Sequence, residues 1–335
     1  MKKHVNIPIF VPHKGCPNDC SFCNQRKITG QSEPMTARRA KEIIERHLST
    51  IDKNSGDVQI AFFGGSFTGI DINEQRELLE TASHYVKSGQ VDSVRISTRP
   101  DYINEEILVM LKKYGVRTIE LGVQSMIDSV LSANDRGHSA AQSENAARLI
   151  KKFGFELGLQ MMTGLFSDDR EGAIYTAKKI IELKPSCVRI YPTLTIKDTK
   201  LEKLYNSGRY NPMTLEETVS LCAELLEMFE KAGITVLRVG LLGTDNINDE
   251  SDVVAGPFHQ SIGELAEGEK FYNRVCREIE KSGKTQIRIY VNPRYISTAK
   301  GHLKKNVTRL NESENIEKIE ILQRENVPYG SFVLE

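Results

Sequence analysis

Cys16, Cys20 and Cys23 stand within eight residues of one another, in the run His13-Lys-Gly-Cys16-Pro-Asn-Asp-Cys20-Ser-Phe-Cys23. Three thiolates can bind three irons of a cubane cluster, whereas the familiar electron-transfer clusters take four cysteines. The fourth iron is then open, which is what a cluster needs to bind and reduce a molecule rather than only pass electrons on. A structural zinc site with His13 as fourth ligand is the alternative, although zinc ligands usually come as two separated couplets. Cys187, Cys222 and Cys276 stand singly among apolar neighbours and read as core thiols.

The elements around the cysteines decide where such chemistry would sit. From Val5 to about Val239, short β-branched or aromatic runs alternate with longer amphipathic stretches, the pattern of strand-helix units on a parallel sheet. The expected strands are 5–12, 58–63, 92–98, 116–122, 155–162 and 187–192. Between them lie helical patterns such as 36–51, with Thr36 as N-cap, and 73–87, where Ile72, Leu79 and Ala82 share a face. Six units fit, fewer than the eight that take about 250 residues in a full barrel. The expected fold is α/β, a partial (β/α)6 TIM-like barrel over residues 1–245 followed by a small C-terminal α+β domain over 246–335. An open doubly wound sheet is the structural competitor. In the barrel, the cysteines follow the first strand and fall on the C-terminal rim, where such folds carry their chemistry. The polar, turn-rich stretch 243–257 reads as a linker or extended loop.

Forty-five Lys and Arg balance forty-five Asp and Glu, so the overall field gives no ground for a nucleic-acid or membrane partner. No run approaches the ~18 apolar residues of a membrane span, and the apolar stretch before His13 is too short for a signal peptide. A cytoplasmic location follows as the expectation, and clustered thiols in a reducing compartment suggest metal.

The spacing CxxxCxxC with an aromatic residue before its last cysteine, here Cys16, Cys20, Phe22 and Cys23, resembles the radical S-adenosylmethionine (SAM) superfamily. The resemblance implies a [4Fe-4S] cluster on those cysteines that cleaves SAM to a 5′-deoxyadenosyl radical, with Phe22 beside the cofactor. Phe62-Phe63-Gly64-Gly65-Ser66-Phe67-Thr68 resembles the glycine-rich stretch that meets the SAM amino group, assigning Gly64, Gly65 and Ser66 to the cofactor. Ser97-Thr-Arg99-Pro-Asp101, Leu121-Gly-Val-Gln124-Ser125, Asn134-Asp-Arg136-Gly-His138, Ile190-Tyr-Pro-Thr-Leu194 and Asn206-Ser-Gly-Arg-Tyr210 look like the radical domain of the Elongator catalytic subunit. That likeness adds Ser97, Arg99, Gln124 and Arg136 to the cofactor contacts, Arg136 toward a carboxylate and Gln124 toward a ribose or amide edge. Ser97 stands where the family usually has Glu, a stronger acceptor for ribose hydroxyls. The roughly ninety residues after the barrel carry no acetyl-coenzyme A pattern.

The resemblance implies an RNA base, in transfer RNA (tRNA), as substrate, and an external electron donor such as flavodoxin or ferredoxin. A tetrapyrrole is the second substrate reading, by likeness to oxygen-independent coproporphyrinogen III oxidase, whose motif has a further cysteine where this chain has Gln25. A zinc-stabilised binding module without catalysis is the third. His259 and Tyr191 are candidates for the substrate side. In the tail, 286–291 reads as a strand, 296–310 as a helix interrupted at Gly301, and 316–322 as a strand. There Gly301-His-Leu-Lys304 faintly resembles the GxxG loop of the KH module, which clamps single-stranded nucleic acid. Lys300, Lys304, Lys305 and Arg309 form a basic helix offered to phosphates.

Overall fold

The computed structural model describes residues 4–11, 16, 20–24, 34–52, 56–241, 252–313 and 316–335. His13, Gln25, the boundary expected at 245/246 and most of the 243–257 stretch lie outside them.

The strands, in chain order, are β1 (His4–Val11), β2 (Asp57–Gly64), β3 (Ser93–Thr98), β4 (Val116–Gln124), β5 (Glu156–Thr163), β6 (Cys187–Pro192), β7 (Thr195–Ile196), β8 (Thr235–Val239), β9 (Val253–Ala255), β10 (Gln286–Val291), β11 (Lys318–Gln323) and β12 (Phe332–Leu334). All six strands read from the sequence are present. They lie side by side and parallel in the order β1-β2-β3-β4-β5-β6, and β8 adds a seventh at the open edge. The sheet is a curled half-barrel with helices outside, and β1 and β8 are its free edges.

Alternation along each strand sorts the two faces. Val94 and Ile96, Ile119 and Leu121, Leu157 and Leu159, and Val188 and Ile190 pack outward against helices in one large core. Arg95 and Ser97, Glu120 and Gly122, Gln160, Arg189 and Tyr191 therefore take the concave side. The helices are started by their own caps: the Thr36 hydroxyl accepts from the Arg39 amide ahead of Ala37–Leu48, and Asp71 caps Ile72–Lys87. Leu79 and Ala82 of that second helix are buried, while Ile72 at its start is half-buried.

The expected linker is not wholly irregular: its end forms β9, which pairs antiparallel with β7 through Thr195 and Ala255. Beyond it, the Ile262–Ser282 helix sets Ala266 in the barrel core and Phe271, Val275 and Ile279 in a second core. That second core lies on the three-stranded sheet β11-β10-β12, in which β10 runs parallel to β11 and antiparallel to β12. The break at Gly301 is real, separating the Ile296–Lys300 helix from the Lys305–Asn311 helix.

Candidate active site at the strand ends

The ends of β1 and β2 are drawn together first. The Gly65 amide donates to the Val11 carbonyl at 3.1 Å. Gly64 turns at φ +108°, and a Cβ there would stand 2.8 Å from the same oxygen, so only glycine lets the two strands close this tightly. Ser66 follows, fully buried; its hydroxyl lies 2.8 Å from Thr98 Oγ1 and accepts from the Arg99 amide at 3.2 Å. What Ser66 leaves to a ligand is its backbone.

Arg99 grips Asp101 with two bonds of 2.9 Å and donates to the Arg136 carbonyl at 2.6 Å. It thereby positions the Asn134–His138 segment. Arg136 reaches back toward the cysteines: its Nη1 lies 3.3 Å from Cys20 Sγ and its Nη2 donates to the Gly122 carbonyl of β4. Asn134 completes the hold, accepting from the Ser21 hydroxyl at 2.8 Å and, through its carbonyl, from the Ser21 amide at 3.1 Å. Phe22 packs among Val130, Met162 and Leu165 on one side and Leu201, Leu204 and Tyr210 on the other. The Asn134–His138 motif is thus the socket of the cysteine loop.

Cys16 is exposed, Cys20 buried and Cys23 half-buried, and none of the three is in a disulfide. Although the Cys16 residue as a whole is exposed, its sulfur is crowded by its surroundings: desolvation and the neighbouring Cys20 push the thiol up, and Arg136 and Arg99 only partly offset this. Among the described residues no three His, Cys, Asp or Glu side chains converge to a ready metal set. The residues nevertheless fit a thiolate cluster and a polar ligand by their chemistry. Among the described residues Arg99 Nη1 and Arg136 Nε are buried donors without partners, and Gln124 Oε1 is a buried acceptor without one. Gln124 also holds a positive φ of 69° at a bulge in β4, a strained conformation of the kind kept at functional sites. Thr163, Thr193 and Thr195 add buried hydroxyls without a partner among the described residues where β5 and β6 end. His138 stays neutral: burial first, then Arg136 and Arg99, lower it to about 4.

Below this rim lies a group the sequence reading did not single out. Glu120 accepts from Arg95 at 2.6 Å and from Arg189 at 2.6 and 3.2 Å, and Gln160 donates to it at 3.1 Å. The two arginines hold its carboxyl below the usual range despite burial. Gly158 makes the room, since a Cβ there would fall 2.7 Å from Glu120 Cγ. Ser97, an expected cofactor contact, accepts from Gln160 at 3.3 Å and so joins this layer. The signal was present: a charged residue at the centre of an apolar run, in Thr-Ile-Glu120-Leu and Val-Arg189-Ile, in strands expected to be buried on both faces.

The remaining candidates separate. Tyr191 lies on the concave face beside Arg189. His259 does not face the rim; its ring meets His302 edge-on at 5.7 Å, and its Nδ1 accepts from the Ser261 amide at the start of the Ile262–Ser282 helix. In the tail, Arg309 is committed elsewhere, paired with Glu269 and lying 3.6 Å over the Tyr272 ring. That corrects its expected phosphate role. Lys304 and Lys305 are exposed, and Leu303 and Lys304 both take positive φ, 50° and 61°, at the turn. Cys187 and Cys222 are buried as expected of core thiols, and Cys276 is half-buried.

The family model described as the radical SAM superfamily matches residues 10–180, and a radical SAM C-terminal domain model matches 185–272. A tRNA uridine(34) acetyltransferase of Methanocaldococcus jannaschii is 32% identical over 261 residues, 64% of this chain and 47% of the relative. The chain therefore spans about half that relative's length. An uncharacterized protein of the same organism is 28% identical over 288 residues and matches along 84% of this chain and 85% of its own length. The solved structure of Methanocaldococcus infernus Elp3 lacking its N-terminus superposes with a TM-score of 0.64 at 21% identity, over 88% of this chain and 68% of that one.

Proposed function

The chain belongs to the radical SAM superfamily, as an enzyme whose radical region is homologous to that of Elongator protein 3, and on that premise we propose that it modifies a base in transfer RNA. Cys16, Cys20 and Cys23 would hold a [4Fe-4S] cluster, and the strand-end groups of Gly64, Gly65, Ser66, Gln124 and Arg136 would hold SAM. When bound and reduced by an external donor such as flavodoxin or ferredoxin, the cluster would supply the electron for splitting SAM to methionine and a 5′-deoxyadenosyl radical. The observation that carries this reading is Arg136, which touches Cys20 while keeping a buried, unpartnered Nε on the same rim.

The chain's own groups bind and orient. The Gly64-Gly65-Ser66 backbone approaches the ligand's amino group, Arg136 meets its carboxylate, and Gln124 offers an unpaired acceptor to its ribose or base edge. Ser97 gives a neutral ribose contact, Phe22 fixes the loop that carries the thiols, and Arg99 acts through Arg136 as a positioning residue. The Lys300, Lys304 and Lys305 side chains of the small C-terminal domain meet the RNA backbone, in the manner its faint likeness to the KH module suggests. The working compartment is the cytoplasm, where thiols stay reduced; among the described residues no helix is long and apolar enough to cross a membrane. What supports an RNA substrate is the acetyltransferase relative's action on tRNA uridine(34).

Mass spectrometry of tRNA nucleosides from cells with and without the protein tests the substrate. The expected result is one modified nucleoside lost with the protein and restored by wild type but not by Cys20→Ala. Identical profiles would reject the tRNA reading.

A further inference from the structure

β6 and β8 each carry one arginine in an otherwise apolar run, Val188-Arg189-Ile190 and Leu237-Arg238-Val239. A register shift after Val188 brings Arg189 and Arg238 opposite each other as direct neighbours, and strands in a sheet stand only about 4.8 Å apart. Both turn to the concave side, because Val188 and Ile190 pack outward against the helices. Like charges directly opposite destabilise a sheet. Among the described residues no acid on this face offsets the second charge. Glu120 is the acid here, already shared by Arg95 and Arg189, and Arg238 has no carboxylate partner among the described residues. Burial and Arg189 both pull the Arg238 guanidinium below its ordinary range. Three guanidiniums therefore share this concave face with one carboxylate: Arg95 and Arg189 hold Glu120, and Arg238 stands beyond Arg189 on the edge strand β8. Aromatic surface adjoins them: the Phe63 ring centre lies 5.3 Å from the Arg189 guanidinium carbon, Phe10 stands 6.3 Å from Phe63, and Tyr191 lies beside both arginines.

We propose that Arg189 and Arg238 form an oxyanion subsite for the substrate inside the half-barrel, with Phe63 and Tyr191 as the surface on which an attached planar ring rests. A planar fork suits phosphate and carboxylate alike, and stacking beside a basic group is how single-stranded nucleotides are held. The proposal rests on the RNA reading only for the source of the oxyanion: the phosphate of a nucleotide, or the carboxylate of a small substrate.

Calorimetric titration of the anaerobically reconstituted full chain tests it, with uridine 5′-monophosphate, uridine, glutarate and SAM as probes. The expected result is that the nucleotide binds more tightly than the nucleoside. Arg238→Ala should weaken the nucleotide about tenfold or more, the loss of a charge-assisted contact, and leave uridine unchanged. Arg238→Lys should retain part of the preference. Arg238→Glu sets a carboxylate beside Arg189, so it should abolish the preference while unfolding at no lower temperature than wild type, which separates lost binding from lost fold. Glutarate binding that depends on Arg238, without any preference for the nucleotide, would assign the same subsite to a carboxylate. Unchanged nucleotide and glutarate affinities in both Arg238→Ala and Arg238→Glu would overturn the subsite. So would a loss confined to SAM. Unaltered tRNA nucleosides together with Arg238-dependent binding would reject the RNA reading alone.

Discussion

Arg136 joins Cys20 to β4: one guanidinium nitrogen lies 3.3 Å from the Cys20 sulfur and another bonds the Gly122 carbonyl. The contact ties the Asn134–His138 motif to the cysteine loop, so the residue proposed to meet the ligand also touches one of the three proposed cluster cysteines. Arg136→Ala should weaken SAM binding about ten- to a hundredfold, the equivalent of roughly 1.5–3 kcal/mol. By removing a hydrogen bond to a cluster sulfur it should also shift the cluster's reduction potential. SAM titration and a potentiometric titration followed by electron paramagnetic resonance check both. Unchanged values would take Arg136 out of the site.

Gly64 is required twice, by its φ of +108° and by the Val11 oxygen 2.8 Å from any Cβ placed there. Gly64→Ala should lower stability by about 1–3 kcal/mol, the usual strain of such a conformation. It should also weaken SAM binding, because the β1 and β2 ends must separate. Denaturant unfolding and the same titration measure the two effects, and a variant as stable as wild type would contradict the close packing.

Glu120 is 1% exposed between two arginines. Removing one member of a buried ion pair leaves charge uncompensated, so Glu120→Gln should destabilise by about 3–5 kcal/mol. Equilibrium unfolding in urea is the check, with an unchanged slope and a lower midpoint expected.

Asp168 gives a pH signature. It lines a groove of about 1080 Å³ between the barrel and the tail, and neither carboxyl oxygen makes a well-formed hydrogen bond. Burial pushes it up to about 6 from 3.8. The folded chain therefore binds a proton that the unfolded chain does not between roughly those values, and above pH 6 it bears the full penalty of a buried carboxylate. Asp168→Asn should raise the unfolding temperature at pH 7, and the gain should shrink as pH falls through 6 toward 4. A gain independent of pH would place its origin elsewhere.

The barrel was legible because its strands are short runs rich in β-branched and aromatic residues, apolar on the outward face and bounded by turn residues, so β1 to β6 could be read to within a residue or two at every end. The seventh strand was not. Thr235–Val239 is a short edge strand with one side exposed and an arginine within it, and such a run looks like the end of a helix-loop segment. The β7–β9 pair was hidden for a related reason, since two- and three-residue strands leave no periodicity. Cys16, Cys20 and Cys23 were legible from spacing alone. The way Asn134 and Arg136 hold their loop depends on side chains more than a hundred positions away, which no local pattern encodes. The Arg189–Arg238 pairing rests on a bulge, and a one-residue slip would have put Arg238 on the outer face.

The central claim is that the three cysteines hold a cluster that opens SAM. Its most direct measurement is 5′-deoxyadenosine released from SAM by the anaerobically reconstituted, reduced protein, quantified by mass spectrometry. The account predicts slow formation without substrate by a protein carrying about four irons per chain, and none from Cys16→Ala, Cys20→Ala or Cys23→Ala. Wild type that holds zinc in place of iron, or that holds the cluster yet releases no 5′-deoxyadenosine, would contradict it.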